Sequence, residues 1–385
     1  MNKQRLLLVI NPISGTSKKE GLSELASQRL SASLGMSVDV RITGGKGDAQ
    51  RFAQEAVEQG YYGVIAAGGD GTVNEVARAL CDSDVAFGVI PLGSGNGLAR
   101  HLEIPVDVNL SLDVIAENNV IACDYATVND QPFFCTFGMG FDAAVSDRFA
   151  KQKKRGKFMY VKSAIEEFVK YRPQEYTIRA NGKEFTHKAF LVACCNASQY
   201  GNNAYIAPGA SMADGLLDVI IIHAGSPIST AMLGVDLFTG YINKNTLLQS
   251  FQARDVVIYR AEEGSAHVDG DPVSMGKVLD VRCHHKKLKI FVPSTRKDQI
   301  KPIITPIDSI LSDLSIAVSN ISQKKNKRVR PFYTIAESFL NNAREGIDNV
   351  PMLRKGKVKP LITPAKNFAK DVRTTLFGPI KRKKK

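Results

Sequence analysis

The sequence contains no apolar run long enough to cross a membrane, and its six cysteines include no Cys-x-x-Cys pair. The apolar run near its start, Leu6–Ile10, stops after five residues at Asn11-Pro12 and is too short for the core of a signal peptide. Because the cysteines lie mostly within apolar segments, a disulfide framework and a zinc site are both disfavoured. We therefore expect a cytoplasmic chain with reduced, buried thiols.

Two common nucleotide-binding motifs are also missing. No stretch has the form G-x-x-x-x-G-K-[ST], which excludes a Walker A phosphate loop. The stretch "GSGNG" contains Gly93, Gly95 and Gly97, but Leu98 stands where a dinucleotide-binding fingerprint needs its third glycine. Any nucleotide site in this chain must therefore use another arrangement of loops.

Negative charge is scarce in one part of the chain only. Residues 301–385 hold 19 of the 51 lysines and arginines but only 6 of the 38 acidic residues, which accounts for the whole formal charge of +13. The basic clusters "KKNKRVR", "RKGKVKP" and "KRKKK" lie between and after two stretches with amphipathic helical spacing, Ile307–Ile321 and Thr334–Ala343. Basic side chains near anionic lipid contribute roughly 1 kcal/mol each, so we expect this tail to bind an anionic membrane. A solvated extension without a function is the alternative, and nucleic-acid binding is not expected because no such module accompanies the charge.

The stretch "GVIAAGGDGTVNE" at residues 63–75 joins a strand pattern to a helix pattern through closely spaced glycines. Its start, Val64–Ala67, is typical of a buried strand, and Thr72 with Glu75 has the spacing of a capping box, which predicts a helix beginning at Thr72. The N–H groups of a helix N-terminus bind phosphate, and glycine lets a ligand approach the backbone. Asp70 repels phosphate but can hold a bridging cation or accept a proton. The stretch therefore predicts a nucleotide site with a metal.

Strand and helix patterns alternate over the first third of the chain. Repeated β–α units predict an α/β domain at residues 1–120 with a parallel sheet. The loops "NPISG", "GGDG" and "PLGSGNG" all follow strands, so we expect them to meet at one edge of that sheet. From about Val120 short strands dominate, among them Pro132–Phe137, which predicts a mostly antiparallel β domain at residues 121–292. The active site is expected in the cleft between the two domains.

Local signals refine this division. Asn129-Asp130 and Asn181-Gly182 predict hairpin turns, and Met159–Tyr171 and Ile228–Phe238 have helical spacing. Residues of about 293–303 are candidates to complete the first domain. The basic tail at residues 304–385 is expected to be helical or disordered.

The glycine-rich stretches "GGDGTVNEV" at 68–76 and "PLGSGNGLAR" at 91–100 resemble the nucleotide-binding signatures of the diacylglycerol kinase catalytic-domain superfamily. This group includes bacterial diacylglycerol kinases, related soluble lipid kinases and sphingosine kinases, and NAD kinases share its GGDG loop more distantly. The resemblance covers about residues 5–295 and implies an NAD kinase/diacylglycerol kinase-like α/β domain followed by a β-sandwich domain. Four further segments match in the same order: "NPISG" at 11–15, "GMGFDA" at 138–143, "YIAPGASMADGLLDV" at 205–219 and "VDGDP" at 268–272.

The resemblance implies positions for ATP and Mg²⁺. Asp214, together with the backbone carbonyls of Ser211 and Leu216, would bind a Mg²⁺ ion that ties the β domain together. Asp70 would hold the catalytic Mg²⁺ or the reacting hydroxyl. The residues implied for ATP binding lie in the loops named above and after the second strand: Asn11, Pro12, Ser14, Gly15, Thr43, Gly68, Gly69, Asp70, Gly71, Thr72, Asn74, Gly93, Ser94 and Asn96.

The resemblance also implies a catalytic acidic pair, Asp269 and Asp271. Members of the family usually carry glutamate where this chain has Asp271, and the shorter side chain leaves open which of Asp269, Asp271 and Asp70 removes the proton. Such an acceptor is needed because phosphoryl transfer to a hydroxyl releases that proton. Asp142, in "GFDA", would contact the lipid headgroup.

The function implied by the resemblance is an ATP- and Mg²⁺-dependent kinase that phosphorylates a lipid hydroxyl, with diacylglycerol or a related glycerolipid as the first choice. A sphingoid base is the close alternative, because "GSGN" at 93–96 resembles sphingosine kinases more than the "GTxND" of bacterial diacylglycerol kinases. The departure at Asp271 and the basic tail leave a second alternative, a catalytically silent nucleotide-binding membrane adaptor. The matches "GMGFDA" and "ADGLLDV" disfavour a soluble substrate such as NAD. We expect a peripheral membrane protein, and a homodimer stays open.

Overall fold

The computed structural model describes residues 4–15, 21–150, 171–225, 233, 236–237, 240 and 242–294. The α-helices bounded within these residues are α1 (Leu22–Leu34), α2 (Asp48–Glu58), α3 (Asp70–Leu80), α4 (Gly97–His101), α5 (Val108–Ala116) and α6 (Phe141–Ala150), and Ile242–Lys244 forms a 3₁₀ turn. The strands are β1 (Arg5–Ile10), β2 (Ser37–Ile42), β3 (Gly63–Gly68), β4 (Ala86–Pro91), β5 (Val120–Val128), β6 (Gln131–Phe133), β7 (Thr136–Gly140), β8 (Gln174–Ala180), β9 (Lys183–Cys195), β10 (Leu217–His223), β11 (Leu248–Ala253), β12 (Asp255–Arg260), β13 (Gly264–Val268), β14 (Asp271–Met275) and β15 (Val278–Phe291).

The first third of the chain forms a parallel sheet with the strand order β2-β1-β3-β4. Helices cover both of its faces, as β1 illustrates: Leu7 and Val9 share a core with α2 and α3, whereas Leu6 and Leu8 share one with α1 and α5. A strand that is covered on both faces is apolar throughout, and all six residues of β3 are buried. The predicted α/β domain with a parallel sheet is confirmed.

The second part of the described chain is an antiparallel β-sandwich, as expected. Its strands follow the order β14-β13-β7-β9-β8-β12-β15, and the pairs β5–β6 and β10–β11 attach to β15 and β9. They enclose a core that includes Phe133, Phe137 and Tyr176. The long strand β15 belongs to both parts, because Val281 pairs with β12 and β5 while Ile290 pairs with β4. This strand joins the sandwich to the parallel sheet.

Two-residue turns connect three of the antiparallel strand pairs. Asn129-Asp130 joins β5 to β6 and Asn181-Gly182 joins β8 to β9, which confirms both predicted hairpins. Asp269-Gly270 joins β13 to β14 in the same way. Both residues of each turn have positive φ, 50° and 85° in the third, as in the type I′ turns that match the twist of paired strands. The third turn therefore carries one of the two predicted catalytic carboxylates, and the other follows it directly.

One predicted strand is divided in the structure. The stretch Pro132–Phe137 forms parts of β6 and β7, separated by Phe134 and Cys135. The N–H groups of these two residues donate to the carboxylate of Asp269 and not to a neighbouring strand. A single continuous strand was therefore the wrong prediction, because a side chain far along the sequence takes over these donors.

Four of the predicted helical stretches lie mostly or wholly outside the residues that the structure describes. Met159–Tyr171 and Ile228–Phe238 lie almost entirely outside the described residues, and the two amphipathic stretches of the tail lie wholly outside them. Across the ranges that the structure describes, no helix combines the length and the apolar character needed to span a bilayer.

Candidate active site

Three loops meet at the carboxyl edge of the parallel sheet, as the sequence predicted. They are residues 11–15 after β1, 68–74 at the start of α3, and 92–97 after β4, and we refer to them together as the glycine-loop edge. The amide of Asn11 donates to Thr72 Oγ1 at 2.9 Å, and the N–H of Gly69 donates to Ser14 Oγ at 3.2 Å. Hydrogen bonds therefore join the first loop to the second.

Asp70 joins the second loop to the third. Its Oδ2 accepts the N–H of Asn96 at 3.0 Å, and its Oδ1 accepts the N–H of Gly97 at 2.9 Å. Asn96 adopts a left-handed conformation with φ 52°, and its side chain closes the third loop on the N–H and carbonyl of Gly93. Asp70 thus positions the glycine-rich loop through both of its oxygens.

Glycine is required at this edge because the loops pack backbone against backbone. A Cβ on Gly15, where φ is +66°, would lie 2.0 Å from the carbonyl oxygen of Leu92. A Cβ on Gly93 would lie 2.7 Å from the Cα of Gly69, and one on Gly95 would lie 2.8 Å from Asp70 Oδ2. Gly15, Gly93 and Gly95 therefore allow an approach that no other residue permits.

The N-terminus of α3 is suited to a phosphate group. Helix α3 has eleven residues, its N-cap Gly69 has no side chain, and among the described residues no other side chain caps its first turn. Asn74, which directly follows that turn, is buried, and its Nδ2 has no hydrogen-bond partner among the residues that the structure describes. Free N–H groups, an unpaired amide donor and a close-packed glycine backbone are the features of an anion site. The residues present therefore fit the phosphates of a nucleotide.

The capping box predicted for α3 is not formed. The helix begins at Asp70, two residues earlier than expected, and the hydroxyl of Thr72 instead accepts a hydrogen bond from Asn11. The carboxylate of Glu75 accepts the N–H groups of Gly47 and Ala49 at 2.9 and 3.2 Å. Glu75 therefore caps α2, a different helix from the one that contains it.

The acidic turn, residues 269–271, presents its two carboxylates differently. The carboxylate of Asp269 accepts the N–H groups of Phe134, Cys135 and Thr136 at 2.9, 2.7 and 3.0 Å. Burial raises the pKa of Asp269, and these three hydrogen bonds oppose that rise. Asp271 is exposed at the start of β14, and within the described ranges no group donates to its side chain. Asp269 is bound into the backbone, whereas Asp271 is open to a ligand.

Asp142 lies in a buried polar cluster beside this turn. Its Oδ2 accepts His267 Nε2 at 2.9 Å and the hydroxyl of Tyr200 at 3.1 Å, and its Oδ1 accepts the N–H of Ala143 at 2.8 Å. The sequence pointed to Asp142 alone, because neither His267 nor Tyr200 belongs to a recognisable motif. Ala266 and Val268 face the sandwich core, so His267 between them lies on the opposite face of the sheet, and no pattern in the sequence indicated that this face is buried as well.

The predicted Mg²⁺ position lies in the loop before β10. Asp214 is exposed, and its Oδ1 accepts the N–H of Leu216 at 3.0 Å. The N–H of Gly215 donates at 2.7 Å to Asp124, a fully buried carboxylate of β5, which anchors the loop. Within the described part of the chain no group of three or more His, Cys, Asp or Glu residues could hold a metal. One accessible carboxylate with carbonyls and water is a donor set that suits Mg²⁺.

A cleft of about 640 Å³ lies beside the start of α6. It is lined by Gly140, Arg148, Arg260 and Gly264, among others. Since Gly264 opens β13 and the acidic turn follows its last residue, the cleft and the turn lie at opposite ends of that strand. The cleft contains none of the predicted site residues.

Comparisons with known proteins identify both parts of the chain. Residues 5–128 match the diacylglycerol kinase catalytic domain, and residues 136–292 match the YegS C-terminal NAD kinase beta sandwich-like domain. The chain is 32% identical over 247 residues to "Probable lipid kinase YegS" of Shigella boydii serotype 18, which covers 62% of this chain and 81% of that protein. The protein of the same name from Escherichia coli is 33% identical over the same shares of the two chains.

Solved structures show the same fold. The crystal structure of a diacylglycerol kinase from Bacillus anthracis str. Sterne superposes with a TM-score of 0.60 at 20% sequence identity. The superposition covers 76% of this chain and 98% of that one. The two-part architecture described above is therefore shared along nearly the whole length of that protein.

Proposed function

Because the chain belongs to the family of lipid kinases that carry the diacylglycerol kinase catalytic domain, we propose that it transfers the γ-phosphate of ATP to the hydroxyl of diacylglycerol or a related glycerolipid. The observation that carries this proposal is the glycine-loop edge, where three loops meet at the uncapped N-terminus of α3. A kinase reaction needs its phosphates held and aligned more than it needs covalent chemistry from the protein. This edge supplies N–H donors in a fixed arrangement.

On the donor side, the first turn of α3 and the loop after β4 would hold the phosphates of ATP. Ser14 and Thr72 hold the first and second loops together, and Asp70 holds the third, so hydrogen bonds connect all three loops. Asn74 would donate its unpaired amide to a phosphate oxygen. Thr43, whose N–H bonds to the carbonyl of Ile10, lies at the adjoining end of β2 and completes this side.

Mg²⁺ would neutralise the charge of the phosphates and structure the loop before β10. Asp70 would hold a phosphate-bound ion at the glycine-loop edge with the lone pairs that its two backbone hydrogen bonds leave over, and Asp214 is the exposed carboxylate of the second position. The carbonyls of Ser211 and Leu216 would complete the second position with water.

On the acceptor side, we assign proton removal to Asp271 and a supporting role to Asp269. Three backbone N–H groups already occupy the carboxylate of Asp269. Asp271 is exposed, belongs to the same turn and keeps its oxygens available. A base must reach the hydroxyl it deprotonates, and a carboxylate that already accepts three N–H groups has little acceptor capacity left for that contact.

Two alternatives stay within the same site. A sphingoid base is favoured as acceptor by the "GSGN" loop at residues 93–96, and a nucleotide-binding adaptor without activity is favoured by aspartate in place of glutamate at position 271. For every alternative, the basic residues of 301–385 would attract the chain to an anionic membrane, where a lipid substrate is found.

The test is transfer of label from radiolabelled ATP to diacylglycerol, monoacylglycerol, ceramide and sphingoid bases in mixed micelles. Asp70→Asn and Asp271→Asn should abolish the labelled lipid, and Asp255→Asn, an exposed aspartate of β12, should leave it unchanged. A labelled sphingoid base in place of a glycerolipid would select the first alternative. ATP binding without any labelled lipid would overturn the proposal in favour of the adaptor.

A further inference from the structure

We propose that His267 is a positioning residue of the acceptor side, which ties the acidic turn to Asp142 and, through Tyr200, to the glycine-loop edge. The inference rests on the proposed lipid kinase activity and assigns a part to residues outside the recognised motifs. It also gives Asp142 a different part from the predicted one: the carboxylate orients its neighbours and does not contact the lipid headgroup.

The pair formed by Asp142 and His267 is shielded from water. The two residues are 5% and 1% exposed, and their side chains join at 2.9 Å between Oδ2 and Nε2. With Tyr200 and the N–H of Ala143, three groups donate to the Asp142 carboxylate. A carboxylate that is buried and bound in this way stabilises its donors, and little of it is left for a lipid hydroxyl.

The hydrogen bonds of His267 define its tautomer. The N–H of Gly270 points at Nδ1, 3.4 Å away. An amide can only donate, so Nδ1 must accept and the ring hydrogen must lie on Nε2, which donates to Asp142. The imidazole therefore bridges α6 to the middle residue of the acidic turn, next to the proposed base Asp271.

The backbone opposite His267 leaves room for this pair. Gly138 of β7 lies across from His267 in the β13–β7 ladder. A Cβ on Gly138 would lie 2.1 Å from Asp142 Oδ2 and 2.4 Å from His267 Nε2. Gly138, the first residue of "GMGFDA", is thus required for the hydrogen bond between the side chains of Asp142 and His267. This requirement explains why the motif has glycine at that position.

The same cluster reaches the glycine-loop edge. Tyr200, which donates to Asp142, is followed by Asn202, whose N–H donates to the carbonyl of Gly95 at 3.2 Å. A Cβ on Gly97 would lie 3.3 Å from the carbonyl oxygen of Tyr200. A continuous chain of contacts therefore connects the loop proposed for ATP phosphates with the turn proposed for proton removal.

Phosphoryl transfer depends on the alignment of donor and acceptor, so this chain of contacts should act on the rate of the chemical step. Because misplacing a catalytic group by about 1 Å can lower the rate about 100-fold, loss of the His267 contact should lower kcat by about 10- to 100-fold. The KM for ATP should change by less than about 2-fold. ATP would bind groups of the glycine-loop edge, and loss of the His267 contact disturbs only the acceptor side.

The experiment measures kcat and the KM for ATP of lipid phosphorylation in His267→Leu, His267→Gln and Tyr200→Phe. The matched control is His223→Leu, at a half-buried histidine at the end of β10. Leucine removes the donor, whereas glutamine keeps an N–H that can reach Asp142. We expect His267→Leu to lose kcat at an unchanged KM for ATP, His267→Gln to recover most of it, and Tyr200→Phe to fall between them. The thermal unfolding midpoint of each variant shows whether a lower kcat results from loss of folded protein.

A second readout does not depend on activity. The imidazole nitrogen chemical shifts of His267 should show a proton on Nε2 and none on Nδ1 in the folded chain, and Asp142→Asn should alter the Nε2 resonance. A proton on Nδ1 would overturn the assignment. So would full kcat in a folded His267→Leu variant of an enzyme that does phosphorylate lipid. Absence of lipid phosphorylation by the unmodified chain, with the Nε2 tautomer observed, would instead refute the proposed function and leave the bridge intact.

Discussion

At the glycine-loop edge, the contacts that fix the geometry join loops that follow neighbouring strands, and Asp70 and Asn96 are 26 positions apart. At the acidic turn, the decisive contacts join residues 125 to 135 positions apart, such as His267 with Asp142 and Asp269 with Phe134. The first region is built largely from backbone and glycine, and the second from the buried carboxylate of Asp142, the half-buried carboxylate of Asp269 and the imidazole of His267. The difference decides which kind of substitution disables each region.

The loops of the glycine-loop edge are positioned by close packing, whereas the acidic turn is positioned by hydrogen bonds. At Gly15, Gly93 and Gly95 the glycine-loop edge tolerates no added volume, because the atoms opposite them lie at distances that only hydrogen permits on Cα. The acidic turn depends on buried donors that have to keep an acceptor, since an unsatisfied N–H is costly away from water. Volume should therefore be the more damaging change at the first region, and loss of an acceptor the more damaging change at the second.

The largest effect is expected for Gly15→Ala. Its Cβ would lie 2.0 Å from the carbonyl oxygen of Leu92 and its φ of +66° is left-handed, so we expect a loss of about 2–5 kcal/mol in the free energy of unfolding. ATP affinity should fall with it. The matched control is Gly21→Ala, where φ is +79° but nothing lies within 4 Å. Equal losses in the two variants, measured by urea unfolding and ATP titration, would mean that backbone strain alone matters and that the loops do not need their close approach.

A smaller effect is expected for Asp269→Ala. Three N–H groups would lose their acceptor, which should cost about 1–3 kcal/mol in the free energy of unfolding. Asp271→Ala, two residues away, removes an exposed carboxylate and should change stability by less than about 0.5 kcal/mol while it removes kinase activity. Urea unfolding of both variants tests this division of roles. A stable Asp269→Ala variant beside an unfolded Asp271→Ala variant would reverse it.

The same contrast explains what could be read from the sequence. The parallel strands, the three loops and the hairpins at Asn129-Asp130 and Asn181-Gly182 follow from short-range patterns, because strand, turn and glycine preferences act over a few residues. The break of the predicted strand at Phe134 and the bridge through His267 depend on partners more than 100 positions away. Periodicity carries no information about such partners, so only the resemblance pointed to the acidic turn.

Glu75 shows the limit of a local pattern even within the glycine-loop edge. Its spacing from Thr72 is that of a capping box, but its carboxylate caps α2 in place of α3. The spacing of Thr72 and Glu75 shows only that a capping box is possible. The packing of α2 against α3 determines which N–H groups the carboxylate of Glu75 binds. The N-cap of α3 is Gly69, which has no side chain, and this leaves the N–H groups of the first turn for a phosphate.

The smallest effect is expected for Glu75→Gln. The amide retains one acceptor for the start of α2 but loses the charge that favours a helix N-terminus, so the free energy of unfolding should fall by about 0.5–1.5 kcal/mol. ATP affinity should stay within about 2-fold, since Glu75 acts on the scaffold and leaves the donors of α3 untouched. Glu58→Gln, which removes the same charge at an exposed position of α2, should cost no stability. If Glu75→Gln weakened ATP binding at unchanged stability, Glu75 would belong to the nucleotide site itself, and the separation of scaffold from ligand donors at this edge would be wrong.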